Sequence, residues 1–172
     1  MKYLIRQEQP SDYGDVYHLV SQAFATTTTS DGTEADYLDK LRKKETFIPE
    51  LSLVAEHSDG SIIGQIVLYQ TYISTDDGLV LSLVLSPLSV HPDYFRRGIA
   101  RALMNLAFDI ACCMGYGAVF LCGEPAFYQR FGFTPSYHLG IFHINDSKAE
   151  WCMVKELISG SLKEIHGTVD IV

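Results

Sequence analysis

The stretch HPDYFRRGIARAL, His91 to Leu103, sets two adjacent arginines and a glycine at the mouth of a helix, in a chain whose formal charge at pH 7 is −8. A helix starting near Arg97 or Gly98 offers several backbone N–H groups without intrahelical partners, and its dipole favours an anion there. Gly98 permits close approach of a ligand, and Ala100 keeps the next turn nearly as small. Arg96, Arg97 and Arg101 add positive charge where a helix dipole ordinarily attracts carboxylates. That combination suits a diphosphate. The competing reading is a solvent-exposed turn whose arginines serve solubility. The sequence has no GxxxxGK[ST] loop and no GxGxxG after its first strand, which makes ATP and NAD poor candidates.

These residues need elements to hold them. Residues 2–6 read as a strand, followed by a helix capped at Ser11 or Asp12 with Val16, Leu19, Val20, Ala23 and Phe24 on one face. The polar segment Ala25 to Thr33 reads as a loop, and Ala35, Leu38 and Leu41 mark a second helix. LSLVAE, the turn HSDGS and IIGQIVLYQTYI form a hairpin pattern, after which STDDG turns the chain into the apolar strand LVLSLVLSPLSV. Pro87 has no N–H for a ladder, so a bulge or splayed edge is expected beside residues 86–90.

From Ile99 to Met114 the apolar positions follow a 3.6-residue period, with Arg101, Asn105 and Asp109 facing elsewhere. GAVFLC reads as a buried strand, and EPAFYQRFG as a short helix ended by Gly132. YHLGIFHI, EWCMVKEL and LKEIHGTVDIV read as three further strands. Hairpins plus one strand–helix–strand unit predict an α/β domain with a mixed sheet.

With 172 residues, 47% hydrophobic and 20% charged, the chain can bury a core in one domain. An excess of 21 acidic over 13 basic residues disfavours nucleic acid and anionic membrane as partners. No apolar run has the form of a signal peptide or a membrane span. The four cysteines lack CxxC spacing and lie among apolar neighbours, so they are expected to be reduced core thiols of a cytoplasmic protein. The six histidines show no HExxH or other metal spacing, so no metal is expected.

The segment LSPLSVHPDYFRRGIARALMNLAF resembles the acetyl-CoA-binding core of the GCN5-related N-acetyltransferase (GNAT) superfamily, and GEPAFYQRFGF resembles the segment after its next strand. Together with LSLVAE, GSIIGQIVLY and a first helix ending in AF, the resemblance extends over most of residues 1–135. It implies the acyl-CoA N-acyltransferase fold: a mixed, centrally splayed sheet of about seven strands flanked by helices on both faces. Residues 1–172 would form a single N-acetyltransferase domain, with the strands of 137–172 completing the sheet and the acceptor cleft.

By the same resemblance, Leu88, Ser89 and Val90 would meet the pantetheine arm, and Arg96, Arg97, Gly98, Ile99, Ala100 and Arg101 the pyrophosphate. The family signature has Gln or Arg, two residues of any kind, Gly, any residue, then Gly or Ala. Here Phe95 takes the first position, a departure that removes a polar side chain from the loop, while Gly98 and Ala100 match. Tyr128 stands where relatives often use a tyrosine as general acid toward departing CoA thiolate; a phenol can return that proton. The alternative for Tyr128 is packing between Phe127 and Phe131 with its hydroxyl on a neighbour.

Direct attack by an amine requires a neutral nucleophile. Glu34, at the start of the second helix, and Glu124, just before Pro125, are the carboxylate candidates for a base, and each also suits a helix N-terminus. His91 reads as a turn residue and Cys122 as a packed thiol. The expected reaction is acetyl transfer from acetyl-CoA to a primary amine of a small molecule, peptide or protein in a ternary complex, with CoA as product. The alternatives are a non-catalytic acyl-CoA-binding or regulatory module and, more distantly, a structural domain whose RRG pairs with an acidic protein. An exposed sheet edge would allow a homodimer.

Overall fold

The computed structural model describes residues 2–172 except Thr26, Thr28 and Thr29, so part of the loop expected over 25–33 lies outside the described residues. In chain order the elements are β1 (Tyr3–Gln7), α1 (Tyr13–Phe24), α2 (Glu34–Leu41), β2 (Phe47–His57), β3 (Ile62–Thr75), β4 (Gly78–Val90) and α3 (Ile99–Cys113). There follow β5 (Ala118–Cys122), α4 (Pro125–Tyr128), β6 (Thr134–Pro135), β7 (Ile141–His143), β8 (Cys152–Glu156) and β9 (Gly167–Val169). The fold is the expected mixed α/β arrangement, with nine strands among the described residues instead of about seven. The chain divides into two compact units, Met1–Val67 with Pro87–Phe108 and Leu68–Ser86 with Asp109–Val172.

In the first unit β1 pairs antiparallel with β2, from Tyr3 opposite His57 to Gln7 opposite Leu53. The predicted helical stripes are the buried ones: Val16, Leu19 and Val20 on α1, and Ala35, Leu38 and Leu41 on α2. On α3, Ile99, Leu103, Met104 and Ala107 are buried, whereas Arg101 and Asn105 are exposed. Gly64 of β3 lets α3 approach closely. A Cβ there would stand 2.9 Å from Ile99 Cγ2 and 3.1 Å from Leu103 Cδ1, tighter than ordinary contact.

A buried ion pair joins the end of β1 to the end of α2. Arg42 donates from Nε to Glu8 Oε2 at 3.2 Å and from Nη2 to Oε1 at 2.5 Å, and Ser52 Oγ donates to Oε2 at 2.7 Å. The guanidinium also lies 4.0 Å from the Tyr13 ring centre and donates from Nη1 to Asp39. Planar, forked and always charged, arginine is the cation best suited to such a site.

In the second unit β4 and β5 run parallel at Leu83–Val119 and Val84–Phe120, a ladder of two rungs, while β5 pairs antiparallel with β8 along its whole length. β6 extends from β8, and β9 pairs antiparallel with β3 and parallel with β7. Val119, Phe120, Leu121, Met153 and Val154 are buried at this centre.

Several expectations are corrected. YHLGIFHI is not one strand: Ser136–Leu139 is a 3-10 turn ended by left-handed Gly140 (φ 76°), leaving only Ile141–His143 extended. The strand expected within LKEIHGTVDIV shrinks to Gly167–Val169, preceded by Glu164 in the left-handed region (φ 67°). Cys152 is a buried thiol as expected, but Cys112 and Cys113 are exposed at the end of α3, and Cys122 is half-buried. Met114 lies beyond that helix and is exposed. The irregularity expected beside Pro87 is in keeping with two observations: the β4–β5 ladder stops at Val84–Phe120, and the His91–Ile63 bond is one residue out of register with the two-residue turn between Thr75 and Gly78, so β4 accommodates one extra residue.

Because Glu8→Ala leaves the buried Arg42 guanidinium with Asp39 as its one carboxylate partner, it should cost about 3 kcal/mol in urea unfolding. The double change Glu8→Leu with Arg42→Met should recover most of that loss.

Candidate active site

Leu88, Ser89 and Val90 are the last three residues of β4, and one hydrogen bond fixes what their backbones can do. His91 N–H donates to the Ile63 carbonyl at 2.9 Å. In an antiparallel ladder such rungs recur at every second residue, so residues 89 and 91 direct their peptide groups toward β3, a register that the Gln65–Ser89 side-chain bond shares. Leu88 and Val90 direct theirs to the opposite side. The end of β4 thus presents N–H and C=O groups, at the spacing of one strand repeat, that β3 does not use. An extended amide-bearing ligand could take them.

Ser89 contributes differently. Its side chain is buried and accepts a hydrogen bond from Gln65 Nε2 at 3.2 Å, on the sheet face opposite the one that Gly64 turns to α3. Gln65 Oε1 is buried without a hydrogen-bond partner among the described residues. Neither Gln65 nor Gly64 stands out in the sequence. The signal was the GQ pair in an otherwise apolar strand, where a buried amide needs a partner and a glycine a close neighbour.

Beyond β4 the chain turns through a 3-10 helix, Pro92–Tyr94, capped by His91 Nδ1, which accepts from Asp93 N–H at 3.3 Å. His91 is therefore a turn residue, as expected. The chain then takes two left-handed residues, Arg96 (φ 61°) and Gly98 (φ 80°), before α3 begins at Ile99. Phe95 before them is extended (φ −58°, ψ 149°), so the donors offered to an anion are the N–H groups left without intrahelical partners at the start of α3. A Cβ at Gly98 would meet nothing within 4 Å, so glycine is required there for its φ, and the space above it is open. Among the loop residues Arg96, Arg97, Gly98 and Arg101 are exposed, Ala100 is half-buried, and Ile99 is buried and anchors the helix. The Arg97 guanidinium lies 5.4 Å from the Tyr94 ring centre, and Tyr94 in turn packs against His57 and His91. Phe95 is half-exposed. The turn can therefore offer a diphosphate backbone donors and arginine charge, whereas the Phe95 N–H is already taken by the Pro92 carbonyl at 3.2 Å.

Glu34 is carried separately, as the half-buried first residue of α2, where the helix dipole favours a carboxylate. In the second unit Glu124 and Tyr128 stand one helical turn apart, joined by the Tyr128 N–H to Glu124 carbonyl bond at 3.2 Å. Glu124 caps α4, its carboxylate accepting from Ala126 N–H at 3.4 Å. Tyr128 is packed edge-on against Phe127 at 4.9 Å and Phe133 at 5.8 Å between ring centres. A Cβ at Gly123 would overlap its ring, so that glycine makes room for it. Burial pushes the Tyr128 phenol up to about 12, because desolvation penalises the phenolate. The aromatic packing of the alternative reading is seen, against Phe127 and Phe133, while the Tyr128 hydroxyl has no hydrogen bond among the described residues.

Comparisons with known proteins bear on the family and the fold. Residues 4–136 match the model of the acetyltransferase (GNAT) domain. The N-acetyltransferase YhbS of Escherichia coli K12 is 29% identical over 173 residues, covering 97% of this chain and 95% of its own. The crystal structure of Escherichia coli YhbS in complex with CoA superposes with a TM-score of 0.86 at 26% identity, over 100% of this chain and 91% of that one. A GNAT-family acetyltransferase from Brucella melitensis, in complex with acetyl-CoA, shares the fold with a TM-score of 0.79 at 23% identity, over 99% and 96% of the two chains. With about three quarters of its length matched by that domain model, the chain belongs to the GNAT family of acetyltransferases.

Proposed function

We propose that the protein transfers the acetyl group of acetyl-CoA to a primary amine of a small molecule, peptide or protein, by direct attack in a ternary complex. The observation that carries this reading is the end of β4, where Leu88 and Val90 turn their backbone groups away from β3 just before a left-handed turn opens α3. In the related YhbS structure the ligand is CoA, whose pantetheine amides and pyrophosphate match these two features in chemical type. Leu88 and Val90 would hold the pantetheine arm through backbone hydrogen bonds, with Ser89 fixing the strand from its buried side. Arg96, Arg97, Gly98, Ile99, Ala100 and Arg101 would hold the pyrophosphate, mainly through N–H groups at the helix start.

Bound acetyl-CoA supplies an activated thioester, and the acceptor must reach it as a neutral amine. Glu34 and Glu124 are the carboxylates proposed to take the amine proton, directly or through water. Glu34 is the better of the two, since the Glu124 carboxylate already serves Ala126 N–H. Tyr128 is the proposed acid: a phenol is protonated at neutral pH, and burial extends that state further into the alkaline range, so it is ready to donate to the leaving thiolate. On this reading residues 1–172 act as one catalytic domain of a cytoplasmic enzyme, and residues 137–172 complete the sheet and contribute to acceptor binding.

Tyr128→Phe should lower kcat by about 10²-fold or more while changing the dissociation constant for acetyl-CoA less than about twofold. Steady-state kinetics against an amine and peptide panel, with calorimetry for the cofactor, check this. Binding of acetyl-CoA without turnover on any acceptor would instead favour the non-catalytic acyl-CoA-binding module. The sign of the Tyr128 shift sets the pH dependence. An acid whose pKa is raised to about 12 stays competent through the alkaline range, so loss of kcat through its ionisation should appear only near that value. Gly98→Val, which places a β-branched residue at φ 80°, should drive the free turn out of its left-handed conformation, and restoring it on binding, at about 1–2 kcal/mol, should weaken acetyl-CoA binding about tenfold by the same calorimetry.

A further inference from the structure

Cys122 and Cys152 are directly opposite each other on the antiparallel strands β5 and β8. The neighbouring rung defines their pairing. Gly123 N–H donates to the Trp151 carbonyl at 2.9 Å, making Gly123–Trp151 a hydrogen-bonded pair. Antiparallel ladders alternate, so Cys122–Cys152 is a non-hydrogen-bonded pair, the type in which Cα atoms approach to about 4.5 Å and side chains lie closest. Accordingly, Cys152 N–H donates elsewhere, to the Ala149 carbonyl at 3.2 Å. Opposite residues project from the same sheet face, and a separation of about 4.5 Å falls within the span of a disulfide. Both thiols are free. Cys152 is buried and accepts from Ser136 Oγ at 3.4 Å, whereas Cys122 is half-buried and thus the more accessible sulfur.

We propose that Cys122 and Cys152 form a cross-strand dithiol that closes to a disulfide when the folded protein meets a hydroperoxide. The Cys122 thiolate attacks the O–O bond of hydrogen peroxide; an S–O bond forms, the O–O bond breaks and hydroxide leaves, giving a sulfenic acid. The Cys152 thiolate then attacks that sulfur, forming S–S and expelling a second hydroxide. The two thiol protons convert the two hydroxides to water. The sulfurs lose two electrons and the peroxide gains them.

Burial, with a smaller effect from Cys152, pushes the Cys122 thiol up to about 12, and burial raises Cys152 too. The first step is therefore slow at neutral pH and faster in alkali, because the thiolate is the nucleophile. Proximity favours the second step once the first has occurred. Cys122 leads into Gly123, against which the Tyr128 ring packs. Any change in turnover on oxidation rests on the proposed acetyl transfer; the linkage itself does not.

The test is to treat the folded full-length protein with excess hydrogen peroxide at alkaline pH, block remaining thiols with iodoacetamide, digest without reductant and analyse by mass spectrometry. The expected product joins the Cys122 and Cys152 peptides with a mass two hydrogen atoms below their sum, and dithiothreitol separates them. The linkage should persist in the Cys112→Ser, Cys113→Ser double variant and vanish in Cys122→Ser. Recovery of Cys122 and Cys152 as alkylated or singly over-oxidised residues, or linked only to Cys112 or Cys113, would overturn the proposal. Acetyl transfer assayed on the same samples reports separately on the functional reading, since linkage without activity in the untreated protein counts against that reading alone.

Discussion

The register between β3 and β4 is the constraint on which the candidate cofactor site depends. His91 N–H closes on the Ile63 carbonyl, and the alternation of an antiparallel ladder then turns the peptide groups of Leu88 and Val90 away from β3. A slip of one residue would exchange the roles of residues 88 and 89 and send the Ser89 side chain to the opposite face. Two side-chain facts hold the register. Gly64 leaves just enough room for Ile99 and Leu103 of α3, and Gln65 hydrogen-bonds Ser89 within the buried interior on the other face. An apolar residue at 65 or a larger one at 64 would loosen both constraints together.

The turn after β4 shows how an acidic chain can prepare for an anion. Its net charge is −8, yet three arginines cluster at positions 96, 97 and 101 around two left-handed residues and a helix start. Fixed N–H dipoles do not depend on average surface charge, and Arg97 is steadied by the Tyr94 ring at 5.4 Å. Tyr128 illustrates the complementary device. Aromatic rings and the bare Gly123 surround it, so desolvation, without any partner charge, extends the pH range over which its phenol stays neutral. The buried Glu8–Arg42 pair is a third use of burial: it joins β1, β2 and the end of α2 in a single hydrogen-bonded unit.

Much of this was legible in the sequence because it is local. The stripes of α1, α2 and α3 follow from 3.6-residue spacing, the β2–β3 turn from HSDGS, and the end of the segment after α4 from Gly132, whose φ is 87°. The motif residues around Gly98 point to the proposed anion site through chemistry that nearest neighbours create. The C-terminal third was read less well. Tyr137 to Leu139 look extended in composition but fold as a 3-10 turn, and the exposed Cys112 and Cys113 resemble core residues until the helix that carries them ends.

By themselves, the residues determined the class of fold and the kind of ligand that the turn at Arg96 to Arg101 suits, since periodicity and turn chemistry act over a few neighbouring positions, while the family followed from the resemblance of residues 85–108 and 123–133. Tertiary structure alone decided which backbone groups of Leu88 and Val90 face away from the ladder, that Glu124 spends its carboxylate on a helix cap, that burial raises the Tyr128 phenol to about 12, and that Cys122 stands opposite Cys152. Each of these depends on strand register or on exclusion of water by residues distant in the chain, and neither quantity is carried by any short stretch of sequence.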